Sequence, residues 1–198
     1  MICEKIGVEA IDQHLDKDEI DEMGKIKLKI IANSLDFAVK DIASKLGKTN
    51  EEILKCLNEK LVNVQYATND FDHVEYALVD PRIKTMRFFD KFFQGYQVNR
   101  KELTVHETTH ALGSDIRHKN FKKIYISGYK IIEKFMWMHK IFNAGFNEAA
   151  TQMFASYNNE YKEGKFLDYD IYTNQIENQS IYKININLIH QIKIQKCL

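Results

Sequence analysis

The 198 residues carry 28 Lys plus Arg against 28 Asp plus Glu and are 44% hydrophobic, which suits one ordinary folded domain with a real core. No basic excess points to nucleic acid and no acidic excess to disorder, so charge names no partner. Three scattered cysteines, Cys3, Cys56 and Cys197, lack CxxC spacing, which argues against a disulfide framework and a thiolate zinc site and predicts reduced thiols. The opening "MICEKIGVEAIDQHLDKDEIDEMG" has acids where a signal peptide needs a basic segment and an apolar run. Even the most apolar stretch, "FMWMHKIFNAGF", is interrupted by His139 and Lys140, so a cytoplasmic protein with no membrane span is expected.

From about Val8 to Leu61 the spacing predicts helices. "IKLKIIANSLDFAVKDIASKL" repeats apolar residues three and four apart, and "TNEEILKCLNEKL" opens on a cap at Thr49 or Asn50 followed by acids, with Gly47 between the two helices. Residues 1–61 are therefore expected as an N-terminal helical region. "LVNVQYAT" and "HVEYALVD" are rich in Val and Tyr with "NDFD" between them, which predicts a β-hairpin closed by Pro81, the only proline. "RIKTMRFFDKFF" fits a helix or a strand. "NRKELTVHETTHAL" predicts a helix with Asn99 as cap and Gly113 as stop. "KKIYISGYKIIEKFMWMHKIF" predicts two strands, and "NEAATQMFASY" a second helix. After Tyr157 the chain is polar and Asn-rich until "IYKININLIHQIKIQKCL", which alternates as a terminal strand would and also fits a helix. There is no repeat and no Pro-, Gly- or Ser-rich linker. The fold class is α+β.

The run "LTVHETTHALGS" carries the chemistry. On a helix, positions four apart point the same way, so His106 and His110 can offer ring nitrogens to one ion at roughly 2.0 to 2.1 Å. Glu107 is rotated by about 100° from His106, beside the ion, where it can act as general base toward a zinc-activated water. Thr104, Val105, Thr108, Thr109, Ala111 and Leu112 are uncharged, as a helix buried on most sides requires. Random order gives H-E-x-x-H in only roughly 1 to 2% of chains with this many histidines, so chance is a poor explanation.

A hydrolytic zinc site keeps three protein ligands and one open position. The extended pattern H-E-x-x-H-x-x-G-x-x-H fits at Gly113 but puts Ile116 at the ligand position, with His118 two residues too late. The second candidate is Glu148 in "GFNEAATQMFAS", whose plainer reading is an acid favoured by the helix dipole. "HETTH" followed by "NEAATQ" resembles the gluzincin metallopeptidases, the thermolysin-like group, and "GFNEAATQMFAS" is similar to the corresponding segment of small uncharacterised bacterial members. The resemblance covers mainly residues 99–157. It implies a zincin-like domain over 62–198, Zn2+ held by His106, His110 and Glu148, Glu107 as general base, and a peptide or protein substrate. Two departures stand out: the gap from His110 to Glu148 is long, filled here by a hairpin at 121–142, and Gln152 occupies a place where the family often has an acid.

Several residues remain open. Tyr157, Tyr161, Tyr172 and His190 are available to stabilise a tetrahedral intermediate, and His118 and His139 are alternative third ligands; each is more simply a core or surface residue. "FFDKFF" and "FMWM" read as core. "HVEYALV" suits an edge strand that holds an extended peptide. A different function class is a weak or inactive zincin-fold binding module, with "IASKLGKTNEEIL" placing Ala43, Gly47 and Ile53 at helix-turn-helix offsets. Glu51, Glu52 and Glu59 outnumber Lys55 and Lys60 on the helix that would face phosphates, so no nucleic-acid partner is expected.

Overall fold

A computed structural model of the chain describes residues 2–10, 22–68, 75–94, 100–119, 122–128, 130–135 and 138–156. It is mixed α+β with two small sheets and several helices. It divides into two compact units, Met1–Ala111 and Leu112–Leu198.

In the first unit a 3-10 turn, Ile2–Lys5, leads into β1 (Ile6–Ala10), which lies parallel to β2 (Asn63–Thr68). Parallel neighbours need a long crossover, and α1 (Glu22–Leu46) and α2 (Asn50–Lys60) supply it. The stripe Ile31, Leu35, Ala38 and Ile42 is fully buried, at the three and four spacing that keeps one helix face inward. Gly47 turns the chain at φ +63°, in the left-handed region. Thr49 then caps α2 in a full capping box: its hydroxyl accepts from the Glu52 N–H, and the Glu52 carboxylate accepts from the Thr49 N–H. At the other end the Lys5 ammonium donates to the carbonyls of Asn58 and Leu61, both at 2.6 Å.

Sheet order is β1-β2-β4-β3, which changes three expectations. Val8 to Ala10 belong to a strand, not a helix, and β1 reaches across residue 61 to join β2, so the expected helical region is not separate from the sheet but contributes a strand to it. β2 does not pair with β3 (Ala77–Asp80); the hairpin is β3 with β4 (Thr85–Phe88), and Pro81 opens its turn. β2 pairs instead with β4, in parallel. α1 and α2 thus form the crossover of a β-α-α-β unit, with Ala43 and Ile53 buried between. "RIKTMRFFDKFF" resolves into β4 and the short helix α3 (Asp90–Phe93), and Phe88, Phe89 and Phe92 are core.

In the second unit, β5 (Ser114–Lys119), β6 (Lys122–Ser127), β7 (Lys130–Phe135) and β8 (Met138–Phe142) form an antiparallel meander, followed by α5 (Ala144–Ser156). Four strands stand where two were expected. Ser114, Tyr125 and Ser127 face the same side, by register, and all three are buried. Among the described residues no helix is long and apolar enough to cross a membrane.

One polar network fastens α1 to sheet and α3. The Lys27 ammonium lies 2.6 Å from Asp90 Oδ1, the Tyr66 hydroxyl donates to the same oxygen at 2.8 Å, and Lys27 also donates to that hydroxyl. Burial opposes the Lys27 charge, but the bonds to Asp90 and Tyr66 outweigh it and lift its pKa above the usual lysine value. Burial, reinforced by the bond to Asp90, also raises the Tyr66 hydroxyl. Both groups keep protons in the folded state that the unfolded chain releases near pH ~10, so this stability is complete below that pH and is lost as pH rises through the folded values. Asp90→Ala leaves a half-buried ammonium without its carboxylate and is expected to cost about 1 to 2 kcal/mol in urea unfolding. A Lys27→Met, Tyr66→Phe variant is expected to show a flatter loss of melting temperature above pH ~10 than the wild type.

Candidate metal centre

The HETTH run lies on α4 (Arg100–Leu112), as the sequence predicts. Its start is anchored by Arg100, whose guanidinium donates to the carbonyls of Phe92 at 3.0 Å and Phe93 at 2.9 Å, and by Lys101, 4.7 Å above the Phe37 ring. Every residue from Glu102 to Leu112 is buried. The uncharged positions Thr104, Val105, Thr108, Thr109, Ala111 and Leu112 are at most 2% exposed. Two of its three buried threonines bond to their own helix, Thr104 donating to the Arg100 carbonyl at 2.6 Å and Thr109 to that of Val105 at 2.8 Å, whereas the buried Thr108 hydroxyl has no hydrogen-bond partner among the described residues. This is a helix packed on all sides, the situation its composition implied.

Within it the His106 and His110 rings meet Nε2 to Nε2 at 2.9 Å, with centroids 4.6 Å apart and planes at 76°. Two neutral imidazoles cannot present lone pairs to each other at that distance in a buried site; a shared proton or a shared cation must lie between them. The third group comes from α5. One ligand atom each from His106, His110 and Glu148 lie within 4.8 Å of one another, and among the described residues this is the only such group of three. Glu107 is buried beside His106, at 7% exposure.

Glu148 is the fifth residue of α5, and the first turn of that helix contains no acid. The helix-dipole explanation of Glu148 therefore loses its ground, since that effect fades beyond the first turn. Gln152 follows one turn later and is buried. Two imidazole nitrogens and one carboxylate oxygen suit zinc and other first-row divalent ions. In a tetrahedral shell at about 2.0 to 2.1 Å, ligand atoms stand roughly 3.4 Å apart, so the Nε2 pair needs only a small separation to accept an ion. The three residues can hold a metal ion.

Of the other histidine and tyrosine candidates, only the side chain of His118 is among the described residues, and it is not part of this group. His118 is exposed on β5, and Ile116 lies on the same strand, past the end of α4, so the extended three-histidine pattern has no structural counterpart. The side chain of His139, and Asn99, Tyr157, Tyr161, Tyr172, His190 and the alternating C-terminal run, lie outside the described residues. Sequence reasoning included Asn147 only as part of the NEAATQ run and gave it no role, and it passed over Gly128, which packs against the Asn147 side chain. The signal for Gly128 was a glycine inside a run of strand formers, "KKIYISGYK".

Compared with known proteins, the chain matches no family model, no curated protein and no solved structure.

If the group binds an ion, the purified protein is expected to carry about one divalent metal per chain by elemental mass spectrometry. Loss of a single ligand should then lower affinity sharply, so Glu148→Ala and His110→Ala should each leave well under half of that occupancy after dialysis.

Proposed function

We propose that the chain is a zinc-dependent metallopeptidase of the gluzincin type, in which His106, His110 and Glu148 hold Zn2+ and Glu107 is the general base. The observation that carries this reading is the convergence of those three ligand atoms within 4.8 Å, two from a buried H-E-x-x-H helix and one from a later helix. That division of ligands between two helices is what the resemblance to gluzincins implies, and it supports a zincin-like arrangement. The meander β5–β8 occupies the long interval between the ligand helices, where a shorter hairpin had been expected.

Bound zinc would supply a Lewis acid that polarises the scissile carbonyl and acidifies a water. Glu107 then takes the proton of the attacking water as its oxygen adds to the carbonyl carbon. As the carbon–nitrogen bond breaks, the same carboxyl passes that proton to the leaving amine, so one residue acts in turn as base and acid. The buried flank of threonines, Val105, Ala111 and Leu112 keeps α4 rigid, which fixes the direction of Glu107 relative to the two rings. The expected substrate is a peptide or a protein.

Glu107→Gln separates binding from chemistry. It preserves size and leaves all three ligands, so zinc content is expected to stay at the wild-type level while kcat on a cleavable peptide falls roughly 10²- to 10⁴-fold. The proposal is wrong if zinc-loaded wild type cleaves no member of a diverse peptide library, or if Glu107→Gln cleaves as fast as the wild type.

A further inference from the structure

We infer that Asn147 and Gly128 are positioning residues for the metal ligand Glu148, acting as a fixed contact that ties α5 to Gly128 and, through it, to Gly113; the inference rests on the metal site proposed above.

Gly128 forms the turn between β6 and β7 at φ +56°, a left-handed conformation that favours glycine. Its N–H donates to the Gly113 carbonyl at 3.0 Å, and Gly113 directly follows the last residue of α4. The other side of Gly128 is filled by Asn147. A Cβ built on this glycine would collide with Asn147 Oδ1 and stand only 3.4 Å from its Cγ. Asn147 is completely buried, and its backbone is held on both sides: its N–H donates to the Asn143 carbonyl at 3.0 Å, and its own carbonyl accepts from the Thr151 hydroxyl at 2.8 Å.

Gly113, Gly128, Asn147 and Glu148 all belong to the second unit. They form a short path from the end of the histidine helix, through one backbone hydrogen bond and one close side-chain contact, to the residue next to the third ligand. Asn147 is wholly buried, so its amide has no open space to turn into, and a push on it is carried to the α5 backbone beside Glu148. Metal ligation tolerates errors of only about 0.2 Å. A methyl at position 128 must push the asparagine away by more than that. The glycine is therefore needed twice, for its backbone conformation and for the absence of a side chain.

The test measures zinc affinity by chelator competition for wild type, Gly128→Ala, Asn147→Ala and the double variant, with urea unfolding of each metal-free protein alongside. Gly128→Ala and Asn147→Ala are each expected to weaken zinc binding roughly 10- to 100-fold, although every ligand is retained. The double variant should lose less zinc affinity than the two single losses combined, because the new methyl then has room and only its backbone strain remains. A purely structural role would lower metal-free stability in all variants and leave zinc affinity within about twofold of wild type, and that result overturns the inference while the metal site stands. Should Gly128→Ala fail to fold, Asn147→Ala and Asn147→Ser decide the matter alone by the same criterion. Wild type that binds no zinc sinks the metal-site reading and this inference together.

Discussion

Two imidazole nitrogens held 2.9 Å apart inside a helix buried on every side are the constraint around which this site is organised. Helical geometry forces the approach, because residues four apart stack on one face. Burial then makes it costly, because the two rings are only 4% and 6% exposed and little solvent can screen their lone pairs. A proton shared between the rings would meet the local need of the imidazoles. It would not account for a carboxylate oxygen of Glu148 converging on the same point, within 4.8 Å of both. A divalent cation answers both features at once, which is why a metal centre explains the cluster better than a histidine–histidine hydrogen bond does.

The surroundings of the pair are as informative as the pair. A surface helix of this length would carry lysines and glutamates along its flanks, whereas α4 has threonines, alanine, valine and leucine there, all buried. Two of those threonines return their hydroxyls to the preceding turn of their own helix, so they add polarity to the sequence without demanding partners from the core. Apart from Glu107, the charged residues of α4 sit in its first turn, where Arg100 and Lys101 fasten it to α3 and α1. The result is a stiff element with its functional groups a turn or more beyond its anchors, as a group able to hold a metal ion requires.

Features that depend on short range could be read from the sequence. A cap at the start of α2, at Thr49 where Thr49 and Asn50 both fit, the limits of α4, the placement of Glu148 on a later helix and the core role of Phe88, Phe89 and Phe92 follow from spacing and residue type alone. The errors share a cause in partners that are distant in sequence or in strands that face water. β1 is only "IGVEA", and its parallel partner β2 lies beyond two helices, so no local pattern reveals the pairing. β2 and β3 are adjacent in the chain and both strand-like, which made a hairpin natural, but β4 lies between them in the sheet. β5, "SDIRHK", is polar because Arg117, His118 and Lys119 are exposed, and so it carries no apolar alternation to mark it as a strand.

The long interval between His110 and Glu148 looks at first like a defect, since a metal site benefits from ligands joined by a short connection. The structure removes most of that disadvantage. β5 to β8 are joined as a meander in which each strand pairs with the next, so every closure is local and its entropic cost grows only slowly with the residues added. The meander is also fastened back at its second turn, where Gly128 donates to Gly113 and receives Asn147. The effective connection from the end of α4 to the neighbour of Glu148 is then two contacts and not a long run of strand and turn. On this view the sheet's length is free to vary, while the small glycine at its second turn is not.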